Sequence, residues 1–436
     1  MTFEPLEKEY WENPYPYYQR LHEQPSLPWA PRAQVFCASR FEEASEVFKD
    51  PELFSSAVAF DLLLQSSWQN VGVVDVFEML RFLVRARVNP LALRSAPETL
   101  LTSDPPKHEA MRNIVNRGFS PRRVAAWEPR IRELSQQYVA KLKYANQFDV
   151  VEGLTHPLPM SIIAEMLGVE THRLADFRRW SNSAISSLTG CERSLSPRVI
   201  MKNGGEALEY LRSIVRRRQQ EPGEDLISVL VDPKHGDTLD TQSVLMFAMV
   251  LLIAGNETTT SAIGNTVKLL LERPQVLEEV SADPSLIPAL VEESLRFESP
   301  FQFMPRRATR DTELRETPIP RGSTVLAMIG AANRDPRYFP EPDRFDIHRD
   351  TTGHLAFGYG VHFCLGSHLA RLEVRVALEE LIPALAGCSV ADGGAVYGDS
   401  YITRGLARLE VTRSTPMAVG RPQPAEGADR APSQSA

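Results

Sequence analysis

The sequence has few of the features that mark secreted, membrane-anchored or metal-cluster proteins. Its four cysteines, Cys37, Cys191, Cys364 and Cys388, show no paired spacing, so a disulfide framework is not predicted and a reducing cytoplasm fits. The N-terminus lacks a basic segment followed by an apolar one. The longest apolar run, residues 244–255, is too short to span a bilayer. We therefore expect a cytoplasmic protein without a membrane anchor.

Positive charge is also in short supply, because 48 basic residues stand against 56 acidic ones. The net charge of −8 argues against a nucleic acid partner and against general attraction to anionic membranes. With 436 residues, 43% of them hydrophobic, the chain can bury a large core. The tail, residues 414–436, is rich in Pro, Ala, Gly and Ser, which predicts disorder there.

The most informative stretch is residues 357–366, Phe-Gly-Tyr-Gly-Val-His-Phe-Cys-Leu-Gly, just ahead of a strongly predicted helix. The amides and dipole at a helix N-terminus stabilise a thiolate. Gly358 permits a tight bulge, and Gly366 lets the backbone approach a large flat group. A lone cysteine is more often a small buried hydrophobe. The whole pattern nevertheless predicts that Cys364 is an anionic ligand, with Phe357 packed over its sulfur.

Two other motifs overlap this stretch, and neither is favoured. Gly358-x-Gly360-x-x-Phe363 resembles a dinucleotide-binding fingerprint. Its last glycine is missing, however, and the residues before it make a poor parallel strand. The pair His362-x-Cys364 lacks the second pair of ligands that a zinc site needs.

A long apolar helix is predicted at residues 241–272, with a polar interruption, Ala-Gly-Asn-Glu-Thr, at residues 254–258. Its first half is apolar on all sides, which predicts burial. Glycine and clustered threonines each weaken a helix by up to about 1 kcal/mol, so another requirement must offset that cost. Ala254 and Thr258 lie one turn apart, where small residues let a flat ring or O₂ approach and a hydroxyl can deliver protons. The alternative is a structural kink in which the hydroxyl bonds back to the helix.

Two pairs of charged residues share helix faces. Residues 104–112 predict a helix start at which His108 and Arg112 lie on one face and form a two-pronged cationic site. Arginine stands where a zinc helix would have its second histidine. Glu293 and Arg296 are spaced at i, i+3, and such pairs are usually surface bridges worth about 0 to 1 kcal/mol. From these residues alone, both pairs are predicted to lie on solvent-exposed helix faces.

Taken together, these motifs resemble those of the cytochrome P450 family. Residues 357–366 match its bacterial signature Phe-Gly-x-Gly-x-His-x-Cys-x-Gly at every position. Residues 254–258 match Ala-Gly-x-(Asp/Glu)-Thr, and residues 104–112 match Asp-Pro-Pro-x-His-x-x-x-Arg. The resemblance covers nearly the whole chain. It implies a mainly α fold with small β-sheets, in which residues 1–413 form a single large domain with a long central helix over the haem.

The resemblance also implies a role for each motif. The cofactor would be haem b, and the Cys364 thiolate would ligate its iron and favour O–O cleavage. Arg306, preferred to Arg307, would join the residues that hold the propionates. The implied haem-binding residues are Cys364, His108, Arg112, Arg306, His362, Phe357, Gly358 and Gly366. The implied catalytic residues are Ala254, Gly255, Glu257 and Thr258, of which Glu257 would relay protons. The implied structural network behind the haem loop is Glu293, Arg296 and Arg344.

The implied activity is that of a monooxygenase inserting one atom of O₂ into a hydrophobic small molecule, by hydroxylation or epoxidation. Electrons would come from NAD(P)H through ferredoxin reductase and ferredoxin, and the protein would be a monomer. A roof at residues 54–104 and a lid at 175–201 would cover the substrate. The implied pocket residues are Phe247, Val250, Leu251, Phe301, Gln302, Phe303 and Ile402. The hypothetical ferredoxin-docking patch is Arg117, Arg122, Arg123, Arg371 and Arg375.

Two alternatives stay open at this point. A peroxide-driven peroxygenase would use the same haem site, but that variant lacks the acid and alcohol that this chain keeps as Glu257 and Thr258. A haem-thiolate protein without catalysis, which binds a ligand or recruits a partner, would need neither residue. The sequence does not identify the substrate.

Overall fold

The computed structural model describes residues 3–58, 99–189 and 195–414. Most of the predicted roof, five residues of the predicted lid, Cys191 and nearly all of the predicted disordered tail therefore lie outside the described residues. The remaining chain is dominated by α-helices, as the family resemblance implied, with short strands collected into small sheets.

The helices before the predicted central helix are α1 Lys8–Glu12, α2 Tyr15–Glu23, α3 Phe41–Lys49, α4 Lys107–Val115, α5 Pro121–Ala125, α6 Glu128–Leu142, α7 Pro157–Met166, α8 Leu174–Thr189, α9 Pro197–Gln220 and α10 Leu226–Val231. The later helices are α11 Thr241–Ala254, α12 Glu257–Leu271, α13 Pro274–Ala282, α14 Ile287–Phe297, α15 Ile329–Ala332 and α16 Ser367–Leu381. The strands are β1 Trp29–Ala30, β2 Val35–Ala38, β3 Phe54–Ser55, β4 Gln147–Asp149, β5 Met304–Ala308, β6 Thr312–Leu314, β7 Thr317–Ile319, β8 Thr324–Ala327, β9 Cys388–Tyr397 and β10 Leu406–Arg413.

Two helices that the sequence predicted as continuous are divided. The helical pattern of residues 124–142 in the sequence predicts one helix, but the structure divides it between α5 and α6, because Pro129 lies in the first turn of α6, where its missing N–H costs nothing. The stretch 241–272 splits into α11 and α12 at Gly255 and Asn256, inside the predicted polar interruption. Both divisions occur where the sequence contains residues that weaken a helix interior.

The largest sheet has the strand order β1-β2-β8-β5-β3 and is mixed. Strand β8 runs parallel to β2, with Val35 opposite Thr324, and antiparallel to β5, with Arg306 opposite Val325. A second sheet has the order β4-β10-β9, and β6 pairs with β7. The largest sheet places β5 beside the end of β3, so the residues after β3 lie close to the buried face of β5.

The main hydrophobic core is formed by the helices. Helix α16 packs against α6, α12 and α14, which fixes the start of α16 near the centre of the protein. A smaller core lies under the five-stranded sheet, and a third cluster gathers the N-terminal aromatics around Tyr10 and Tyr18.

The combined stretch Thr241–Leu271 is apolar and long enough, at 31 residues, to cross a membrane by length and composition. This differs from the expectation based on the shorter run 244–255. The signal is weak, because the core helix of a soluble protein satisfies the same criteria and half of the most apolar window is buried in this fold.

A buried ion-pair network lies behind the loop that contains Cys364. The guanidinium of Arg296 donates to both carboxylate oxygens of Glu293, at 2.7 and 2.8 Å, and both side chains are fully buried. Arg296 also donates to the carbonyl of Asn333 at 2.8 Å, and the Asn333 side chain accepts the amide of Leu355 at 2.7 Å. The network therefore reaches the chain just ahead of the cysteine loop.

The third member of this network is Arg349, so the prediction of Arg344 was wrong. Arg344 is 60% exposed and pairs with Glu341 and Asp346 at the surface. Arg349 is 10% exposed, lies 3.5 Å from the Glu293 carboxylate, and donates to backbone carbonyls around it. The segment turns after Phe345, where the Asp346 amide bonds Glu293 at 2.9 Å, and this turn brings the later arginine inward.

We expect Arg349→Ala to destabilise the protein by about 2 kcal/mol or more, because it removes a charge partner of a buried carboxylate and several hydrogen bonds. Arg344→Ala is the matched control and should cost less than about 1 kcal/mol, since its ion pairs are exposed. Urea unfolding of the purified holoprotein, followed by circular dichroism, measures both. Equal midpoints for the two variants would contradict this assignment.

Candidate active site

The loop around Cys364 is closed by its own backbone. The Cys364 amide donates to the Phe357 carbonyl at 2.9 Å, and Gly358 and Gly360 adopt φ values of 68° and 72°. These left-handed conformations favour glycine. A Cβ on Gly360 would lie 2.6 Å from the carbonyl oxygen of Phe48, whereas a Cβ on Gly358 or Gly366 would meet no atom within 4 Å. The loop is thus packed against Phe48 at Gly360 and open at Gly358 and Gly366.

The environment of the Cys364 thiol combines opposing effects. Burial raises its pKa, while the amide of Gly366 and the charges of Arg112 and Arg371 act to lower it. Helix α16, which begins at Ser367, adds its positive dipole end next to the loop. The pKa of the Cys364 thiol therefore stays above its ordinary value. A stable thiolate here would need a further cation, such as a bound metal ion.

Four cationic or basic side chains meet beside this loop: His108, Arg112, Arg306 and His362. The rings of His108 and His362 lie 4.2 Å apart between centroids. His108 is 1% exposed, and neither of its ring nitrogens has a hydrogen-bond partner among the described residues. Buried polar atoms in native proteins are rarely left without partners. This cluster therefore has unused donors that point to a ligand.

The charges in this cluster are not balanced within the described part of the chain. Burial and the neighbouring Arg306, His108 and Arg112 lower the pKa of His362 to about 3, and burial lowers the pKa of Arg306 to about 10. The neighbouring carboxylate, Asp104, is already bonded to the Ser56 amide at 2.8 Å. Such a site stabilises bound anions, and guanidinium groups suit carboxylates in particular.

Strand β5 explains which of its two arginines can join the cluster. Its residues alternate between the two sides of the sheet, so Arg306 is 3% exposed while Arg307 lies at the surface. Burial of Arg306 also places its guanidinium over the ring of Phe48. The inward arginine is therefore the one preferred from the sequence.

The break between α11 and α12 lies on a half-exposed apolar helix face. Met246, Val250, Ile253 and Ala254 are accessible although the other faces of α11 are buried. Their spacing of three to four residues defines one face. An apolar face left open in the middle of a core helix is suited to line a cavity for an apolar ligand.

The polar groups of the break adopt both of the arrangements considered from the sequence. The Thr258 hydroxyl donates back to the Ala254 carbonyl at 2.8 Å, as in a structural kink, yet Thr258 remains half-exposed on the open face. Burial raises the pKa of Glu257. Gly255 faces the other way, because a Cβ there would lie 2.7 Å from the Ile163 side chain. Its small size serves helix packing and not access to the open face.

Most of the predicted pocket residues do not lie on this open face. Phe247 and Leu251 are buried in the main core. Gln302 bonds the Tyr18 hydroxyl and the Ser299 carbonyl, and Phe303 and Ile402 are buried in the N-terminal aromatic cluster. Only two of the predicted residues, Val250 and Phe301, are half-buried.

Two residues of the open face, Met246 and Ile253, were missed from the sequence. Met246 lies four residues before Val250 and Ile253 lies three residues after it, and this helical spacing carried the signal. That signal was lost because every face of this helix is apolar, so helical periodicity could not select one.

The hypothetical docking patch is partly neutralised. Arg371 donates to both oxygens of Glu292, at 2.6 and 2.8 Å, and Arg375 pairs with Glu128 and Glu379. Of the other three arginines, Arg122 is exposed, Arg123 is half-buried, and Arg117 donates to a backbone carbonyl. The patch is therefore smaller than predicted.

Comparison with known proteins agrees with this fold. A family profile, Cytochrome P450, matches residues 198–385. The chain is 35% identical to the Vitamin D(3) 25-hydroxylase of Pseudonocardia autotrophica over 410 residues, covering 92% of this chain and 94% of the relative. It is 40% identical to the 6-deoxyerythronolide B hydroxylase of Saccharopolyspora erythraea over 318 residues, or 71% of this chain and 76% of the relative. The solved structure of cytochrome P450 CYP109Q5 from Chondromyces apiculatus superposes with a TM-score of 0.80 at 35% identity, covering 95% of this chain and 99% of the other.

The fold and the site thus define a haem-dependent oxidoreductase with a cysteine beside its cofactor site. The chain belongs to the cytochrome P450 family and is a monooxygenase. Its residues fit the haem that this family binds. The unpartnered nitrogens of His108 and the uncompensated charge around Arg306 suit two propionates, and the open space at Gly358 and Gly366 leaves room for a flat macrocycle.

We expect Arg306→Leu to speed haem loss by about tenfold or more, because one charge-assisted contact to a carboxylate is worth about 1.5 to 3 kcal/mol. Transfer of haem to excess apomyoglobin measures the rate. Arg307→Leu, on the exposed side of the same strand, is the matched control and should leave the rate unchanged. The assignment is incorrect if both variants lose haem equally fast.

Proposed function

We propose that this protein hydroxylates a hydrophobic, polycyclic or macrocyclic small molecule, and that Cys364 is the residue that would hold the haem iron. The observation that carries the proposal is the Cys364 loop beside a buried basic cluster whose one neighbouring carboxylate among the described residues, Asp104, is already bonded to the Ser56 amide. The chemistry of this donor set suits a cofactor with one metal and two carboxylates.

The proposed substrate class rests on the open helix face and on the relatives. The accessible residues Met246, Val250 and Ile253 are apolar and flexible or branched, so they select by shape and not by charge. Two relatives are named as hydroxylases of vitamin D(3) and of 6-deoxyerythronolide B. Both names denote large hydrophobic molecules, and steroid, terpenoid, lipid and polyketide oxidation all remain within the proposal.

Haem, when bound, supplies the activation of O₂. The residues of this chain then have separate tasks. Cys364 would hold the iron, Arg112 and Arg306 would neutralise the propionates, and the neutral rings of His108 and His362 would donate hydrogen bonds to them. The apolar face of α11 excludes water from the substrate.

The Thr258 hydroxyl and the Glu257 carboxyl supply protons at the break. Because burial raises the pKa of Glu257, its carboxyl keeps a proton at a higher pH than an exposed glutamate does. Rotation of the Thr258 hydroxyl away from the Ala254 carbonyl turns the same group toward the open face.

We also propose that electrons reach the haem from NAD(P)H through ferredoxin reductase and ferredoxin, and that the protein is a cytoplasmic monomer. The exposed Arg122, on a helix that packs against α16, supports docking of an acidic donor near the cysteine loop. Peroxide-driven turnover and haem binding without catalysis are the alternatives. Retention of Glu257 and Thr258 favours the O₂-dependent reaction.

The main test of the proposal is the reduced carbonyl complex of wild-type protein and of Cys364→Ser. We expect the red-shifted Soret band of thiolate ligation in wild type and its loss in the variant. Turnover of vitamin D(3) and macrolide-type compounds is then followed by mass spectrometry, with ferredoxin and reductase or with H₂O₂ alone. Product only with H₂O₂ would favour the peroxygenase, and a thiolate band that survives Cys364→Ser would contradict the ligand assignment.

A second prediction concerns pH. Product formation should fall as pH rises through the elevated pKa of Glu257, since only the protonated carboxyl can donate. Glu257→Gln should lower the product rate by about 100-fold and remove this decline. Glu272→Gln, at the exposed end of the same helix, is the control and should keep the wild-type profile. A decline that persists in Glu257→Gln would assign the titration to another group.

A further inference from the structure

Helix α8 is hydrogen-bonded to the break between α11 and α12 through Ser181. The Ser181 hydroxyl donates to the Leu252 carbonyl at 3.0 Å and accepts from the side-chain amide of Asn256 at 3.2 Å. Ser181 is 0% exposed and Asn256 is 2% exposed, so water does not replace either bond at low cost. Among the described residues, the side-chain oxygen of Asn256 has no hydrogen-bond partner, so this side-chain amide is held through its nitrogen, which donates to Ser181.

These bonds satisfy groups that the break leaves open. The last four carbonyls of a helix lose their intrahelical partners. At the end of α11, the Leu251 carbonyl accepts the Gly255 amide at 2.9 Å, the Leu252 carbonyl accepts Ser181, and the Ala254 carbonyl accepts the Thr258 hydroxyl at 2.8 Å. The hydroxyls of Ser181 and Thr258 therefore hold the carbonyls of Leu252 and Ala254 at the same helix end.

The other sides of the break leave little freedom. A side chain at Gly255 would clash with Ile163 of α7, so Gly255 lies close to that helix. Ala254 and Thr258 lie on the open side and are exposed and half-buried, respectively. The Thr260 hydroxyl holds the α12 side of the break through the Thr155 carbonyl at 2.9 Å. The α11 side, which carries the Ala254 carbonyl bonded by Thr258, is held by the contact of Leu252 and Asn256 with α8.

We propose that Ser181 and Asn256 are positioning residues that transmit the position of α8 to the Thr258 hydroxyl. This inference rests on the proposed function, in which Thr258 and Glu257 deliver protons at the break. When α8 keeps Ser181 in place, the helix end is held open with Thr258 at a fixed point on the open face. When α8 moves away, Leu252 and Asn256 lose their partner and the break loosens.

A neighbouring serine on the same helix provides a matched control. The hydroxyl of Ser183, 1% exposed, accepts from the Asn203 side chain of α9 at 2.5 Å. Ser183→Ala therefore removes an equally buried hydroxyl, with an asparagine donor of its own, from the contact between α8 and α9. Only Ser181→Ala removes the contact to the break.

The experiment compares Ser181→Ala, Asn256→Ala, their double variant and Ser183→Ala in the haem-loaded protein. Hydrogen exchange at the amides of residues 252–258, measured without substrate, should be about fivefold faster or more in Ser181→Ala, because each lost hydrogen bond accounts for about fivefold. Product formed per O₂ consumed should fall by about threefold or more in Ser181→Ala, with KM unchanged. Ser181→Ala removes both bonds to the break and Asn256→Ala removes one of them, so the double variant should equal Ser181→Ala. Ser183→Ala should match wild type in both measurements.

Exchange and product yield that are the same in Ser181→Ala and Ser183→Ala would overturn the inference. Additive effects of Ser181→Ala and Asn256→Ala would also overturn it, because the two residues would then act independently. If wild type makes no product from any compound, the proposed function fails, while the exchange measurement still decides whether Ser181 holds the break.

Discussion

The site depends on one electrostatic problem, which is how a sulfur anion can be kept inside a protein. Burial disfavours the Cys364 thiolate, and the surrounding amide and arginines offset that penalty only in part. The basic cluster has the opposite imbalance and needs negative charge, because His108 and Arg306 are buried with too little of it nearby. A group that carries a metal ion and carboxylates answers both needs at once. Two sites that are costly alone therefore become stable together.

The loop that presents the sulfur is held from behind by ion pairs, of which Glu292–Arg371 is half-buried. The carboxylate of Glu292 stays ionised because, despite burial, hydrogen bonds from His354 and Arg371 lower its pKa to about 2. The Arg371 guanidinium in turn lies 4.2 Å from the centre of the Phe357 ring. One bidentate pair thus ties α14 to α16 and fixes the first ring of the cysteine loop. Arg371 contributes here to structure, which leaves it less suited to docking a partner.

The sequence allowed the fold class and the three main motifs to be predicted, because each motif is local. The loop at 357–366 and the interruption at 254–258 are read from neighbouring residues, and both occur where the structure turns. Arg349 and the pocket residues depend on how distant segments turn toward one another. The alternation that selects Arg306 over Arg307 was visible in the strand, whereas no alternation separates Phe247 from Val250 in a helix that is apolar on all sides.

At the break between α11 and α12, the sequence located the motif of small and polar residues correctly but misjudged why one of its residues is small. The sequence suggested that Gly255 makes room for a ring or for O₂, but its missing side chain makes room for Ile163. The space on the open side comes instead from the small side chain of Ala254. The carbonyls of Leu252 and Ala254, at the end of α11, accept hydrogen bonds from the hydroxyls of Ser181 on α8 and Thr258 on α12. Packing on one face of the break and chemistry on the other thus impose independent demands on adjacent residues. A substitution at Gly255 tests helix packing, and one at Ala254 tests access to the cavity.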